Sequence, residues 1–419
     1  MSIQEARVNT NAELLSAIEN TGVRSIVIVG DLAELSGFRL SPDQALRGAG
    51  LPPTLSFAEG QDGVQLTSNN HIEGLTLRAG VRQRAIFNDT AVEHFGRLTL
   101  RNLSTIGGVQ ILARDRVRGG HIDVENLDIQ AADARGQDER PKGYGVEVLP
   151  GALTLWNQQA DASVTITANL TGISVGRAGA PVRGTGVFVS GAGDTGGRMV
   201  VSSLETGAVY SDGGIPPATP DRITGGVFVV YGAHVDRVVN HGPVTTYGSN
   251  DMVLDNWGKV DRWTVDGKVT SHGPSAIGFV NFGTVNHLVV NAVIETFGQG
   301  SRGFNVYTGT VNAATFERVL THGDGAVGIQ ISQPVGDISV RSGIETYGGT
   351  GDSLVKGVVL KLAATALSIK PGGAARSVTV AGGIITHGGG VSPVELHGMV
   401  GSLKVTDSLA AAGGGFEKI

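Results

Sequence analysis

Glu295 and Glu345 each stand directly before a threonine, in Glu295-Thr296-Phe297-Gly298 and Glu345-Thr346-Tyr347-Gly348. Glycoside hydrolysis needs two carboxyl groups, about 5 Å apart when configuration is retained and roughly 6.5–9.5 Å apart when it is inverted. If these two segments stack two rungs apart in a parallel sheet, their backbones lie about 9.6 Å from one another. Glu205 holds a similar place earlier in the chain. A second acidic set is Glu147, Asp212 and Asp255, in which a loop carboxylate, Asp212, would have to complete a site shared by two strand residues several coils apart. The competing reading for each is an ordinary solvated carboxylate beside a turn.

Rings and amides accompany these acids. Counting from a recurrent glycine, the second and fourth residues of a strand should point away from the core. The outward pairs are then Glu147 with Leu149, Phe188 with Ser190, Phe228 with Val230, Asp255 with Trp257, Val280 with Phe282, Asn305 with Tyr307, and Gln330 with Ser332. Trp257, Phe282 and Tyr307 form an exposed aromatic column in this scheme, with Phe188, Phe228 and Tyr231 along the same face and Asn305 beside them. Aromatic faces stack on apolar sugar faces while carboxylates and amides take hydroxyls, so the residues match a carbohydrate groove. They match a subunit interface equally, because a flat apolar face can assemble a homotrimer.

What must position these residues is a repeat. Thr246-Tyr247-Gly248, Ser271-His272-Gly273, Thr296-Phe297-Gly298, Thr321-His322-Gly323 and Thr346-Tyr347-Gly348 start at intervals of 25, and Thr386-His387-Gly388 follows after 40, one period plus a 15-residue insertion. Gly278-Phe279, Gly303-Phe304 and Gly328-Ile329 keep step with them. Looser glycine-apolar copies sit at Gly63, Gly108, Gly145, Gly186, Gly226 and Gly357. The segments between markers read as short strands, with no helical pattern. The expected fold is all-β: a right-handed parallel β-helix of roughly 25-residue coils. In register, the threonines and Ser271 form a hydroxyl ladder bonded rung to rung, and Tyr247, His272, Phe297, His322 and Tyr347 form a ring ladder. Stacking accounts for the histidines, and no metal or cofactor is expected.

Residues 1–60 read as an N-terminal cap and 61–419 as the coil, with insertions near 131–144, 207–225, 349–356 and 370–376. Thr10-Asn11-Ala12-Glu13 has the spacing of a capping box, with Leu14, Leu15 and Ile18 following as the apolar face of a plug helix. After it come Ser25-Ile26-Val27-Ile28-Val29, Leu46-Arg47-Gly48-Ala49-Gly50 and Asn69-Asn70-His71-Ile72-Glu73-Gly74-Leu75-Thr76-Leu77. This opening resembles the pectate-lyase-like superfamily of parallel β-helices. The resemblance implies polysaccharide cleavage, either β-elimination with calcium and an arginine base or hydrolysis with paired carboxylates. The clustered aspartates and basic strand motif of the lyases do not appear. Neither do the Asp-Asp, His-Gly and Arg-x-Lys signatures of the polygalacturonases, and Asn88-Asp89-Thr90 lacks its partners. No family residue carries over.

Composition narrows the partners. A net charge of −6 with no Lys/Arg stripe argues against nucleic acid and disfavours a strongly anionic polymer. No cysteine is present, so disulfides and thiolate metal sites are excluded. No apolar run suggests membrane insertion. The start lacks a secretory pattern, so a cytoplasmic protein is expected, or an extracellular one if a leader has been removed. The expected function is a carbohydrate-active enzyme acting on glycosidic bonds, a hydrolase or transferase ahead of a lyase. The alternative is a noncatalytic structural or glycan-binding solenoid.

Overall fold

The computed structural model describes residues 4–216, 219–355 and 357–411. Pro217 and Ala218, within the 207–225 segment, Lys356, at the end of 349–356, and residues 412–419 of the expected coil lie outside them.

The chain is an all-β parallel β-helix. Helical structure among the described residues is confined to Asn11–Glu19 and one short turn, Ala134–Gly136. The first of these is the plug. Glu13 N–H donates to Thr10 Oγ1 at 3.2 Å and the Glu13 carboxylate accepts from Thr10 N–H at 3.1 Å, closing the capping box. Leu14, Ala17 and Ile18 are buried against the first coil, whereas Leu15 is half exposed.

Coil on coil, one inward column passes through Phe38, Val64, Ile86, Val109, Leu153, Val187, Val227, Leu254, Phe279, Phe304, Ile329, Leu367 and Val394. From Phe38 to Leu367 these residues belong to a continuous apolar core, with Val394 packed against its end. Burying each such side chain contributes about 1.5–3 kcal/mol, and that gain offsets the ordering of a long, glycine-rich chain.

The column corrects two of the loose glycine markers. Gly145-Val146 and Gly357-Val358 fall in antiparallel hairpins outside the coil. The coil positions belong instead to Ala152-Leu153 and Ala366-Leu367, because alanine is small enough to stand where glycine does in the regular rungs. Glu147 is therefore not on a coil strand. It sits in a side ladder, Val146–Val148, paired with the start of Arg222–Val229.

Both corner ladders form. Thr246, Ser271, Thr296, Thr321, Thr346 and Thr386 are fully buried and stacked in register. Their hydroxyls do not bond rung to rung. Thr321 donates to Ala326 O at 2.7 Å and Thr386 to Val391 O at 3.0 Å, bracing the corners of their own coils, while the Thr246 and Ser271 hydroxyls are buried without a hydrogen-bond partner. The rings stack nearly parallel: Tyr247 on His272 at 5.1 Å, then Phe297, His322, Tyr347 and finally His387 at 4.4 Å, with planes within 10° throughout. From Gly273 onward the glycine ending each tripeptide is required by close approach, because a Cβ on Gly298, for instance, would strike the carbonyl oxygen of Gly273 one rung before it.

Residues 4–60 join the same sheets as everything after them, through strands such as Gln4–Val8 and Thr54–Phe57. Three excursions leave the coil: the segment between Ala131 and Gly151, the loop between Asp212 and Arg222, and the hairpin Thr350–Val355 with Val358–Ala363. All return into the sheet that carries Gly151–Asn157, Arg222–Val229 and Leu367–Ile369, so they emerge at one edge. Residues 207–212 remain in a long strand, Arg198–Asp212, and 370–376 hold only a turn leading into Ala374–Val380.

Candidate functional site

The three excursions decide the site, because they fold over the outer face of that sheet. Alternation does send Phe188, Phe228 and Trp257 outward, away from the coil core. They are nevertheless buried, together with Leu112, Trp156, Ile223 and Val230 from the sheet and Val148 from the first covering segment. Trp257 is 3% exposed and Tyr307 6%, so the exposed aromatic column expected from the sequence does not exist. An uncovered row of large rings would cost too much apolar hydration, and the insertions remove it from water. Phe282 and Tyr231 are partly buried, and Tyr231 donates to Lys142 O at 3.0 Å, tying the covering segment down.

One ring on this face stays half exposed: Tyr144, in the first excursion. It stacks on Phe282 at 4.5 Å and meets Trp257 edge-on at 5.0 Å, while Phe282 stacks in turn on Tyr307 at 5.2 Å. Burial raises the Tyr144 phenol above its ordinary pKa, opposed by a hydrogen bond with Thr308. Beside these rings opens a pocket of about 270 Å³ between Tyr144 and the inserted hairpin. Phe282, Tyr307, Met252 and Leu354 supply apolar walls; Asn250, Ser275 and Thr308 supply polar groups. Tyr144 and Leu354 were missed in the sequence because they lie in aperiodic insertions, and Met252, though in register with Ile277, because nothing local marks it as facing a pocket. The available signal was that three insertions share one edge.

The acids take different fates. Asp255, Val280, Asn305 and Gln330 form one outward column, in register from coil to coil. Asp255 is fully buried with no well-formed hydrogen bond to either oxygen, and Asn305 is buried with its amide likewise unpartnered. Burial pushes the Asp255 carboxyl well above its ordinary pKa, and the Trp257 ring N–H and Asn256 amide offset this only in part. Burial thus favours the protonated form of Asp255.

Glu147 is 2.7 Å from the Lys142 ammonium, whose hydrogen bond holds its carboxyl below the usual range. Asp212 pairs with Arg183 and accepts from Gly214 N–H at 2.7 Å. Glu295 and Glu345 do stand two rungs apart, with Leu320 between them. Burial would raise both, but Lys268 and His322 hold Glu295 down, and Tyr347, Arg318 and His387 hold Glu345 down. Each is an ion-paired corner brace. None of these five acids lines the pocket, and four are held by nearby cations: Glu147 by Lys142, Asp212 by Arg183, Glu295 by Lys268 and His322, and Glu345 by Arg318 and His387.

A cation could be held by His234, Asp236 and Asp261, whose ligand atoms lie within 4.8 Å of one another. The Lys259 ammonium stands 3.6 Å from Asp261 and already supplies positive charge there. No helix of the described residues is long and apolar enough to cross a membrane.

No family model matches the chain, and comparison with curated proteins and with solved structures yields no match.

Proposed function

We propose that this solenoid is a noncatalytic carbohydrate-binding protein whose ligand enters the pocket between Tyr144 and the hairpin Thr350–Ala363. The observation that carries the reading is the convergence of Tyr144, Phe282 and Tyr307 on one small pocket that also offers Asn250, Ser275 and Thr308. Ring faces and a few directed polar groups are what a small saccharide with one apolar face requires. The resemblance of the first eighty residues to pectate-lyase-like proteins supports the same ligand class by analogy. The noncatalytic half rests on the acids, because four of the five named are locked in ion pairs and the fifth is buried.

A second reading, glycosidic bond cleavage, draws on Asp255 alone, since a buried carboxyl whose pKa is pushed up is what a general acid needs. One experiment separates the two. The protein is screened against a panel of neutral oligosaccharides, measuring binding by calorimetry and products by reducing-end release and by absorbance of unsaturated sugars. Binding without products, lost in Tyr144→Ala, is expected. Product formation that disappears in Asp255→Asn would replace the binding reading by the hydrolytic one, and absence of binding to every glycan would remove both.

A further inference from the structure

We infer that a second cavity binds a doubly charged oxyanion of the phosphate or sulfate type, free or as an ester. This cavity, of about 400 Å³, lies where the first two excursions meet and is lined by Arg82, Arg135, Arg140 and Arg222 with Gly213 and Gly214. Four guanidinium groups around one cavity stand out in a chain of net charge −6.

Their local pairing is incomplete. Asp133, the carboxylate in the lining, accepts two hydrogen bonds from Arg135 at 2.8 Å each and has Arg82 at 3.6 Å. The one carboxylate near Arg140 and Arg222 is Glu147, at 3.8 and 4.0 Å, and its hydrogen bond goes to Lys142; Arg140 also donates to Arg135 O at 2.9 Å. With the Arg183–Asp212 pair beside Arg135 included, six cations share three carboxylates. The Nε–H groups of Arg140 and Arg222 are buried without a hydrogen-bond partner, and a buried donor left unsatisfied is costly. An oxyanion would accept from the accessible ends of these side chains, which line the cavity, and guanidinium forks match phosphate and sulfate oxygens in geometry as well as charge. The unmatched positive charge fits a dianion better than a monoanion.

Gly214 keeps the cavity open. It has φ of +58°, and a Cβ there would lie 2.7 Å from Arg135 Nη1 and collide with Arg183 Nη2. Any side chain at this point would fill the space between the guanidiniums.

The test is calorimetric titration of the full chain with inorganic phosphate, inorganic sulfate and glucose 6-phosphate, against chloride at matched ionic strength. Saturable binding of the inorganic dianions is expected, weakened about tenfold or more in Arg140→Gln and in Arg222→Gln, as for loss of a charged hydrogen bond. Arg376→Gln, which removes an exposed arginine paired with Asp337, should leave affinity unchanged. Glucose 6-phosphate binding alongside the inorganic ions assigns the site to esters too, and its failure assigns it to the free ion. Heats no larger than those with chloride, or affinity unchanged in both arginine variants when each melts like the parent, overturn the inference. Because the two variants lie on different segments, misfolding of one leaves the other to decide. Tyr144→Ala should retain phosphate binding, so failure of the carbohydrate reading does not touch this one.

Discussion

Tyr144 lies over Phe282 with ring centroids 4.5 Å apart and planes 28° from parallel, joining an excursion of the chain to the face it covers. Through this contact and the edge-on meeting with Trp257, the lid is held by ring geometry as well as by buried area.

Replacing Tyr144 by alanine should therefore loosen the lid without unfolding the coil. Each ring pair is worth about 0.5–1.5 kcal/mol beyond area burial, so an overall loss of roughly 1–3 kcal/mol is expected from urea unfolding. Emission from Trp257 should shift to the red as water reaches it. An unchanged spectrum together with unchanged stability would mean that the lid is held elsewhere.

Asp251 should make stability fall as pH rises through weakly acidic values. It is fully buried, and desolvation pushes its pKa up to about 6 from the ordinary 3.8, against hydrogen bonds from Thr224, Gly213 and Gly248. Between the unfolded and folded values the folded protein binds more protons, so stability declines from about pH 4 to about pH 6 and the cost, on the order of 3 kcal/mol, persists above. Asp251→Asn can keep all three contacts, accepting from both glycine amides and donating to the Thr224 hydroxyl. Urea midpoints at pH 4.5 and 7 should differ less in this variant than in the parent. The corner glutamates slope the other way: with depressed values, Glu295 and Glu345 contribute above the usual carboxylate pKa and lose that contribution as pH falls further.

Within the ring ladder, Phe297 stacks on two histidines, at 5.2 and 4.7 Å. Phe297→Ala should cost about 1–3 kcal/mol, the value of two ring pairs, while Phe297→His should cost well under half of that because imidazole already serves at the neighbouring rungs. Chemical denaturation of both variants provides the comparison. Equal losses would mean that burial rather than stacking sustains the corner.

The 25-residue spacing, the Thr-x-Gly corners and the capping box were legible in the residues because each is a local or periodic demand: a rung must match its neighbours, and a helix end must satisfy its own amides. Alternation also sent Asp255, Trp257 and Phe282 correctly to the outer face. What that face met could not be read. Whether an outward ring is bare or covered depends on where aperiodic segments such as 132–150 and 350–363 come to rest, and their resting place is set by contacts between residues far apart in the chain. The pairing of Glu147 with Lys142, the seat of Tyr144 on Phe282 and the gathering of Arg82, Arg135, Arg140 and Arg222 were all decided in three dimensions for that reason.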